Sequence, residues 1–291
     1  MDGWTIGVIG GSGLYAIDAL DEAEWIPVQS PWGVPSDSLL IGRIGGVRFV
    51  FLPRHGRGHR LAPGEIDYRA NLDVLKRAGC TDVVAVCAVG SLNESLSPGT
   101  FVVADQFVDR TVARAGSFFG SGLVAHVSLA DPVCGRLSAL VADAAESAGA
   151  TVARGGTYLA IEGPQFSTRA ESRLYRGLGC DVIGMTGMPE ARLSREAELP
   201  YALVAMVTDY DCWRESEDAV ELQAILAQLE HNAETARRMI VALAHALPAR
   251  RPASPIDRAL DGAIITAPEA RDPARLAMLD AICPRLLGGS R

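Results

Sequence analysis

Two apolar runs set the strongest limit on what this chain can fold into. Leu203–Val204–Ala205–Met206–Val207 and Asp82–Val89 (DVVAVCAV) are short, rich in β-branched residues and apolar at nearly every position. A strand with one wet face alternates apolar and polar residues. A strand apolar throughout has both faces covered, as in the central strands of a parallel sheet with helices above and below. The first run leads straight into TDYDCW, which places Asp209 and Asp211 at a strand's end. Residues two apart on an extended chain point the same way, so both carboxylates can face one crevice. Ligands in open α/β sheets sit outside the carboxyl ends of the strands. Paired acids there suit the ring nitrogens and exocyclic amine of an amino-substituted heterocycle, the plain alternative being a solvated acidic turn.

The remaining strands and helices repeat that scheme. Trp4–Ile9 is a short β-rich run that enters GGSGLYA, where small residues let backbone N–H groups turn toward an anion and Ser12 adds a hydroxyl. The same residues match a dinucleotide fingerprint, but residues 17–30 supply no buried strand ending in an acid, so that context fails. Leu39–Ile44 and Val47–Leu52 flank Gly45–Gly46, a hairpin signal. Glu65–Ala78 and Val133–Ala148 read as helices, Phe101–Asp109 as a further apolar segment, and Thr157–Ile161 and Asp181–Gly184 as strands. A helix is expected from about Thr168, with Ser167 and Thr168 as capping candidates, and another from Glu190. The pattern predicts an α/β fold with a mixed central sheet and flanking helices, its strand exits building one site.

Composition narrows the function. With 291 residues, 48% of them hydrophobic, the chain can bury a large core. A net charge of -8 argues against a nucleic-acid groove or an anionic membrane surface, and no apolar run reaches the length of a membrane span. The N-terminus MDGWTIGVIGG has no basic segment, and a cytoplasmic protein is expected. The six scattered cysteines form no C-x-x-C pair and read as reduced and mostly buried. Lys76 is the only lysine and lies in a helical pattern, which excludes Schiff-base and P-loop chemistry.

The loop PRHGRGHR, Pro53–Arg60, gathers three arginines and two histidines. His55 and His59 could share a metal only on a helix, and Gly56 and Gly58 argue against one. Anion binding is the favoured reading over a metal or a plain surface loop, with Arg54 expected to grip phosphate bidentately.

GGSGL, PRHGRGH, EGPQFSTRAES, GMTGMPEA and TDYDCW, in that order between residues 10 and 213, together resemble the trimeric purine nucleoside phosphorylase family. TDYDCW resembles its 5'-methylthioadenosine phosphorylase branch more narrowly, and DRALDGAIIT after the linker Pro248–Pro255 is similar to bacterial members. The resemblance implies a single nucleoside phosphorylase-like domain, with residues 1–247 catalytic and 248–291 a linker and helical extension packed on it. It implies phosphorolysis of a 5'-deoxy-5'-substituted adenosine, with inorganic phosphate as co-substrate and no cofactor or metal. By the same resemblance Ser12, Arg54, His55, Ala88 and Thr186 are phosphate ligands, Ala88 through its backbone. Phe166 packs on the base beside Ser167, Met185 lies against the ribose, and His126 reaches the 5' pocket of a neighbouring subunit in a homotrimer with shared sites. Asp209 hydrogen-bonds or protonates N7 of the leaving purine and Asp211 supports the exocyclic amine. Two positions depart from the pattern. Cys87 stands where relatives often carry a threonine near phosphate, and Gly187 gives MTG, similar to a branch that prefers methylthioinosine. A 6-oxopurine or methylthioinosine phosphorylase, a water-using nucleosidase and a nucleoside-binding protein without turnover are the competing readings. Neither the 5' substituent nor the strictness for adenine follows from the residues.

Overall fold

The computed structural model describes residues 3–11, 13–214 and 222–287. In chain order the strands and helices are β1 (Thr5–Gly10), β2 (Asp21–Ile26), β3 (Leu39–Ile44), β4 (Val47–Pro53), α1 (Tyr68–Arg77), β5 (Asp82–Ser91), β6 (Thr100–Ala104) and β7 (Gln106–Asp109). They continue as α2 (Gly135–Ser147), β8 (Thr151–Arg154), β9 (Thr157–Ala160), α3 (Arg169–Gly177), β10 (Val182–Gly184), α4 (Gly187–Glu196), β11 (Tyr201–Tyr210) and α5 (Leu222–Ala246). Two short helices, α6 (Pro273–Met278) and α7 (Pro284–Leu287), close the chain. Among the described residues no helix is long and apolar enough to cross a membrane.

One mixed sheet runs β2-β3-β4-β1-β5-β10-β9-β7, and β11 joins β5 to a branch through β6 and β8. β5 is the junction: β1 and β11 lie parallel to it, while β10 pairs antiparallel with its last residues, Ile183 opposite Gly90. The unbroken apolar runs have the cause expected of them. Val83, Ala85 and Cys87 of β5, with Leu203 and Ala205 of β11, pack beneath α1 and α4. Val84 and Val86, with Val204 and Met206, pack on the other face against Leu137, Met239 and Ile240 of α2 and α5. Both faces are buried, so no position alternates.

β2 is a strand the sequence reading missed. Its acids DEAE are exposed because it is the sheet's edge, antiparallel to β3, and charged residues suit an edge that must not pair further. The helix expected over Glu65–Ala78 starts later, at Tyr68. Asp67 caps it by accepting from the Ala70 N–H, and Pro63–Glu65 form a separate 3-10 turn. Thr168 caps α3 as expected, and Glu171 returns the bond in a capping box. Five of the six cysteines are buried and Cys212 is exposed; all six are free thiols. Beyond α5, Leu260, Leu279, Ile282 and Cys283 pack into the core beneath α1 and α4.

Candidate active site

Ala88 marks where the crevice opens. Within the otherwise buried strand β5 it is the one exposed residue, on the face that Val84 and Val86 share further back. Around it four strand exits meet. β1 ends at Gly10 beside Pro53 of β4, and the Arg54 N–H donates to the Gly10 carbonyl. The turn that follows has Gly13 at φ 92, and Arg237 of α5 donates to the Gly13 carbonyl at 2.8 Å. Ser12 lies outside the described residues.

Arg54 is 1% exposed. Its Nε and Nη2 donate to the two carboxylate oxygens of Glu190 at 2.5 and 3.1 Å. Nη1 donates to the Val86 carbonyl at 2.9 Å, and Nη2 reaches the Ile9 carbonyl at 3.4 Å. Burial works against its charge, and Glu190 more than offsets that, so the guanidinium stays protonated. The bidentate edge expected to grip phosphate is therefore turned onto Glu190, because a guanidinium this deep requires a carboxylate. One Nη1 N–H remains for an anion. The rest of PRHGRGHR does not converge either. Arg57 is exposed and paired with Asp37, and Arg60 donates to the Ser36 carbonyl. The dense cationic loop of the sequence is one inward arginine and two outward ones.

His55 Nδ1 lies 2.9 Å from the Leu61 carbonyl, and its ring stacks on His59 with centroids 4.2 Å apart. A carbonyl only accepts, so Nδ1 carries the proton and Nε2 is left as an acceptor. Burial, then the Arg54 charge, hold the His55 pKa down at about 4. Thr186 is buried at the N-cap of α4, where the Tyr158 hydroxyl accepts from the Thr186 and Gly187 N–H groups at 3.3 and 3.4 Å. Cys87 Sγ contacts the same hydroxyl at 3.9 Å, and burial pushes its thiol up to about 11, so it is a neutral group behind this end. Gly187 also has a packing cause. A Cβ there would stand 2.9 Å from Phe107 and 3.0 Å from Tyr158.

The other end of the crevice belongs to β11. Its register against β5 shifts between Val207 and Asp209, a bulge that re-aims the residues beyond it. Asn232 of α5 and the Gly99 N–H both donate to the Val207 carbonyl, fixing that bulge. Asp209 and Asp211 then both come close to Gly90: a Cβ there would be 3.4 Å from Asp209 Oδ1 and 3.3 Å from Asp211 Cβ. Both side chains thus border the open space at Gly90, which a larger residue there would fill. Thr208 donates to Asp209 Oδ2 at 2.7 Å. Asp211 is 9% exposed with Oδ2 unpartnered, and burial raises its pKa above the ordinary value. Cys212 Sγ donates to the Ser167 carbonyl at 3.3 Å, which brings the EGPQFS loop beside the acids. The Ser167 hydroxyl is buried without a partner, and Phe166 is 85% exposed.

Arg114 ties the loops together and was missed by the sequence reading. Nη1 donates to the Tyr68 hydroxyl and to the Met185 and Met188 carbonyls, Nη2 to the Glu162 carbonyl, and Nε to the Glu162 carboxylate. Met185 is thus fixed through its backbone, half-buried, with its thioether against Gly163. Nothing in the pattern of residues 110–116 signals that role. His126 stands apart. It is exposed, its N–H donates to the Ala263 carbonyl, and among the described residues no hydrogen bond or ring contact joins its side chain to the crevice. A separate cleft of about 670 Å³ at the opposite strand ends is lined by Trp4, Arg43, Arg48 and His245, and brings no acid near a base.

A buried arginine–glutamate pair, a glycine turn and the start of α4 lie at the exits of β4, β1 and β10, and two carboxylates lie at the end of β11. Fold and site thereby define a class, an α/β protein with its polar side chains gathered at the strand exits of one mixed sheet. The chain belongs to the phosphorylase superfamily, whose family model matches residues 5–245. It is 59% identical to S-methyl-5'-thioadenosine phosphorylase of Cereibacter sphaeroides over 286 residues, 98% of this chain and 99% of that protein. A crystal structure of a methylthioadenosine phosphorylase from an antarctic soil metagenomic library superposes with TM-score 0.91 at 43% identity, covering 97% and 99% of the two chains. Methylthioadenosine phosphorylase from Schistosoma mansoni in complex with tubercidin gives TM-score 0.77 at 37% identity, covering 83% and 90%.

Proposed function

We propose that this chain catalyses phosphorolysis of a 5'-deoxy-5'-substituted adenosine, with 5'-methylthioadenosine as the default substrate, releasing adenine and the 5-substituted ribose 1-phosphate. The observation that supports this reading is the approach of Asp209 and Asp211 to the open space at Gly90 near the end of β5, on a sheet whose other strand exits carry the buried Arg54 and Thr186. In the reaction a phosphate oxygen forms the new bond to C1', and the C1'–N9 bond breaks with its electrons leaving on the base. Charge developing on the purine is met by a proton at N7, the role given to Asp209. Asp211 accepts from the 6-amino group, and its unpartnered, desolvated Oδ2 suits that donor.

The phosphate is held by the remaining Nη1 N–H of Arg54, the Thr186 side chain, the Ala88 backbone and His55 Nε2, which accepts from a P–OH. Ser12 completes the set by resemblance. Inorganic phosphate is a co-substrate, and the chemistry requires neither cofactor nor metal. Phe166 covers the base, Ser167 lies at its edge and Met185 lies beneath the ribose. Gly187 is accounted for by packing against Tyr158 and Phe107, which removes it as an argument for a 6-oxopurine.

Assembly as a homotrimer in the cytoplasm, in purine salvage, completes the reading. Val112 and Phe166, 87% and 85% exposed, place apolar side chains at the rim where a neighbouring subunit would bring His126. The test is adenine release from 5'-methylthioadenosine with and without inorganic phosphate, run beside methylthioinosine and inosine. Release independent of phosphate points to a nucleosidase, and faster turnover of the 6-oxopurines reverses the assignment of the acids.

A further inference from the structure

Glu190 accepts from Arg54 Nε, Arg54 Nη2 and the Tyr201 hydroxyl, the last at 3.1 Å, and is 1% exposed. Three donors converge on it, and its ion pair with Arg54 cancels the charge of the guanidinium. The other buried arginine of the site, Arg114, is paired through Nε with the partly exposed Glu162. His55 is neutral, with Nε2 as an acceptor. The anion end thus has hydrogen-bond donors while its two inward arginines carry little net positive charge.

Resting on the phosphorolysis reading, we infer that Glu190 is a positioning residue that fixes Arg54 and, by its charge, keeps bound phosphate from being neutralised. An arginine alone would bind phosphate more tightly in the ground state. The transition state, however, has a cationic sugar ring above the phosphate, and an anion that keeps its charge stabilises that ring more than it stabilises the free site. Only interactions stronger in the transition state raise kcat. Glu190 trades phosphate affinity for rate. It also links the β4 exit to the first turn of α4, so Arg54 and Thr186 are held in one frame.

The opposite expectation follows if Glu190 is merely a prop: removing its charge would loosen Arg54 and weaken phosphate. Glu190→Gln keeps the shape and removes the charge. It is expected to tighten inorganic phosphate about tenfold, read by thermal-shift titration without nucleoside, while kcat falls about tenfold. Glu190→Asp keeps the charge and should show no such tightening. Tyr201→Phe, which removes one donor from the carboxylate and leaves the ion pair, is the second variant should Glu190→Gln not fold. It should shift phosphate affinity the other way, weakening it about twofold to threefold. Unchanged or weaker phosphate binding in Glu190→Gln, or tighter binding in Tyr201→Phe, overturns the inference. In either case a wild type that still binds phosphate and releases adenine with it leaves the phosphorolysis reading standing. A wild type that does neither removes both.

Discussion

At the anion end of the crevice, Arg54 is buried with a carboxylate on its bidentate edge and Thr186 is buried at a helix start. At the base end, Phe166 stands almost fully in solvent, the Ser167 hydroxyl lacks a partner and Asp211 keeps one oxygen unpartnered. One end is organised by the chain's own contacts, the other holds an exposed ring and polar atoms that those contacts leave unpartnered. The difference follows from charge. A buried guanidinium without a carboxylate would cost several kcal/mol, so the fold must satisfy it in every state. An exposed phenyl ring costs little and can wait for a base. In the proposed function, preorganisation lies where phosphate would be held, and selectivity for the nucleoside is left to groups that complete on binding.

The comparison is broken most directly at Asp209. Asp209→Asn should lower kcat for 5'-methylthioadenosine about 10²–10⁴-fold, because an amide cannot act as an acid toward the leaving base. Turnover of methylthioinosine should hold or improve, since an amide can match a 6-oxopurine edge better than a carboxylate. Equal losses on both substrates would mean that Asp209 shapes the bulge and does not read the base.

Arg54→Ala and Phe166→Ala sharpen the contrast when made in parallel. Arg54→Ala leaves Glu190 buried without its counterion and should lower unfolding stability by about 3–5 kcal/mol. Its phosphate KM should rise steeply in whatever fraction remains folded. Phe166→Ala should leave Tm within about a degree of wild type and raise the nucleoside KM about tenfold, the scale of one base–aromatic stack. Calorimetry with steady-state kinetics checks both. A large Tm loss in Phe166→Ala would show that the base end is as finished as the anion end.

The last effect, spread over several pH units, is a pH dependence of stability. With its pKa held at about 4 against an ordinary 6.5, His55 takes up a proton in the unfolded chain before it does in the folded one. Stability should therefore fall as pH drops from about 6.5 to about 4, and this contribution should level off below that. Asp211 acts with the opposite sign. Its raised pKa means the folded protein binds that proton more readily than the unfolded chain, so its contribution falls as pH rises through the carboxylate range. Urea midpoints at pH 4, 5, 6 and 7 should show a slope that His55→Asn flattens. An unchanged slope would assign it elsewhere.

By itself the sequence determined the features that repeat along the chain or act within a few residues. Apolar runs without alternation placed β5 and β11 at the centre of a two-faced sheet, Gly45–Gly46 marked a hairpin, Thr168 and Glu171 carried a helix cap, and Asp209 and Asp211 were placed at a strand's end. Each is legible because strand period, turn conformation and capping are local. Tertiary structure alone decided which distant groups meet. Glu190 lies 136 positions from Arg54, and no local pattern announces that it takes the edge that looked free for phosphate. Arg114 reaches Glu162 and Met185 across 48 and 71 positions from a segment without periodicity. The antiparallel entry of β10 beside β5, which delivers Met185 and Thr186 to the crevice, is a pairing that a three-residue strand cannot specify alone. A buried charge must find its partner wherever the topology puts one, and that partner is fixed by the fold.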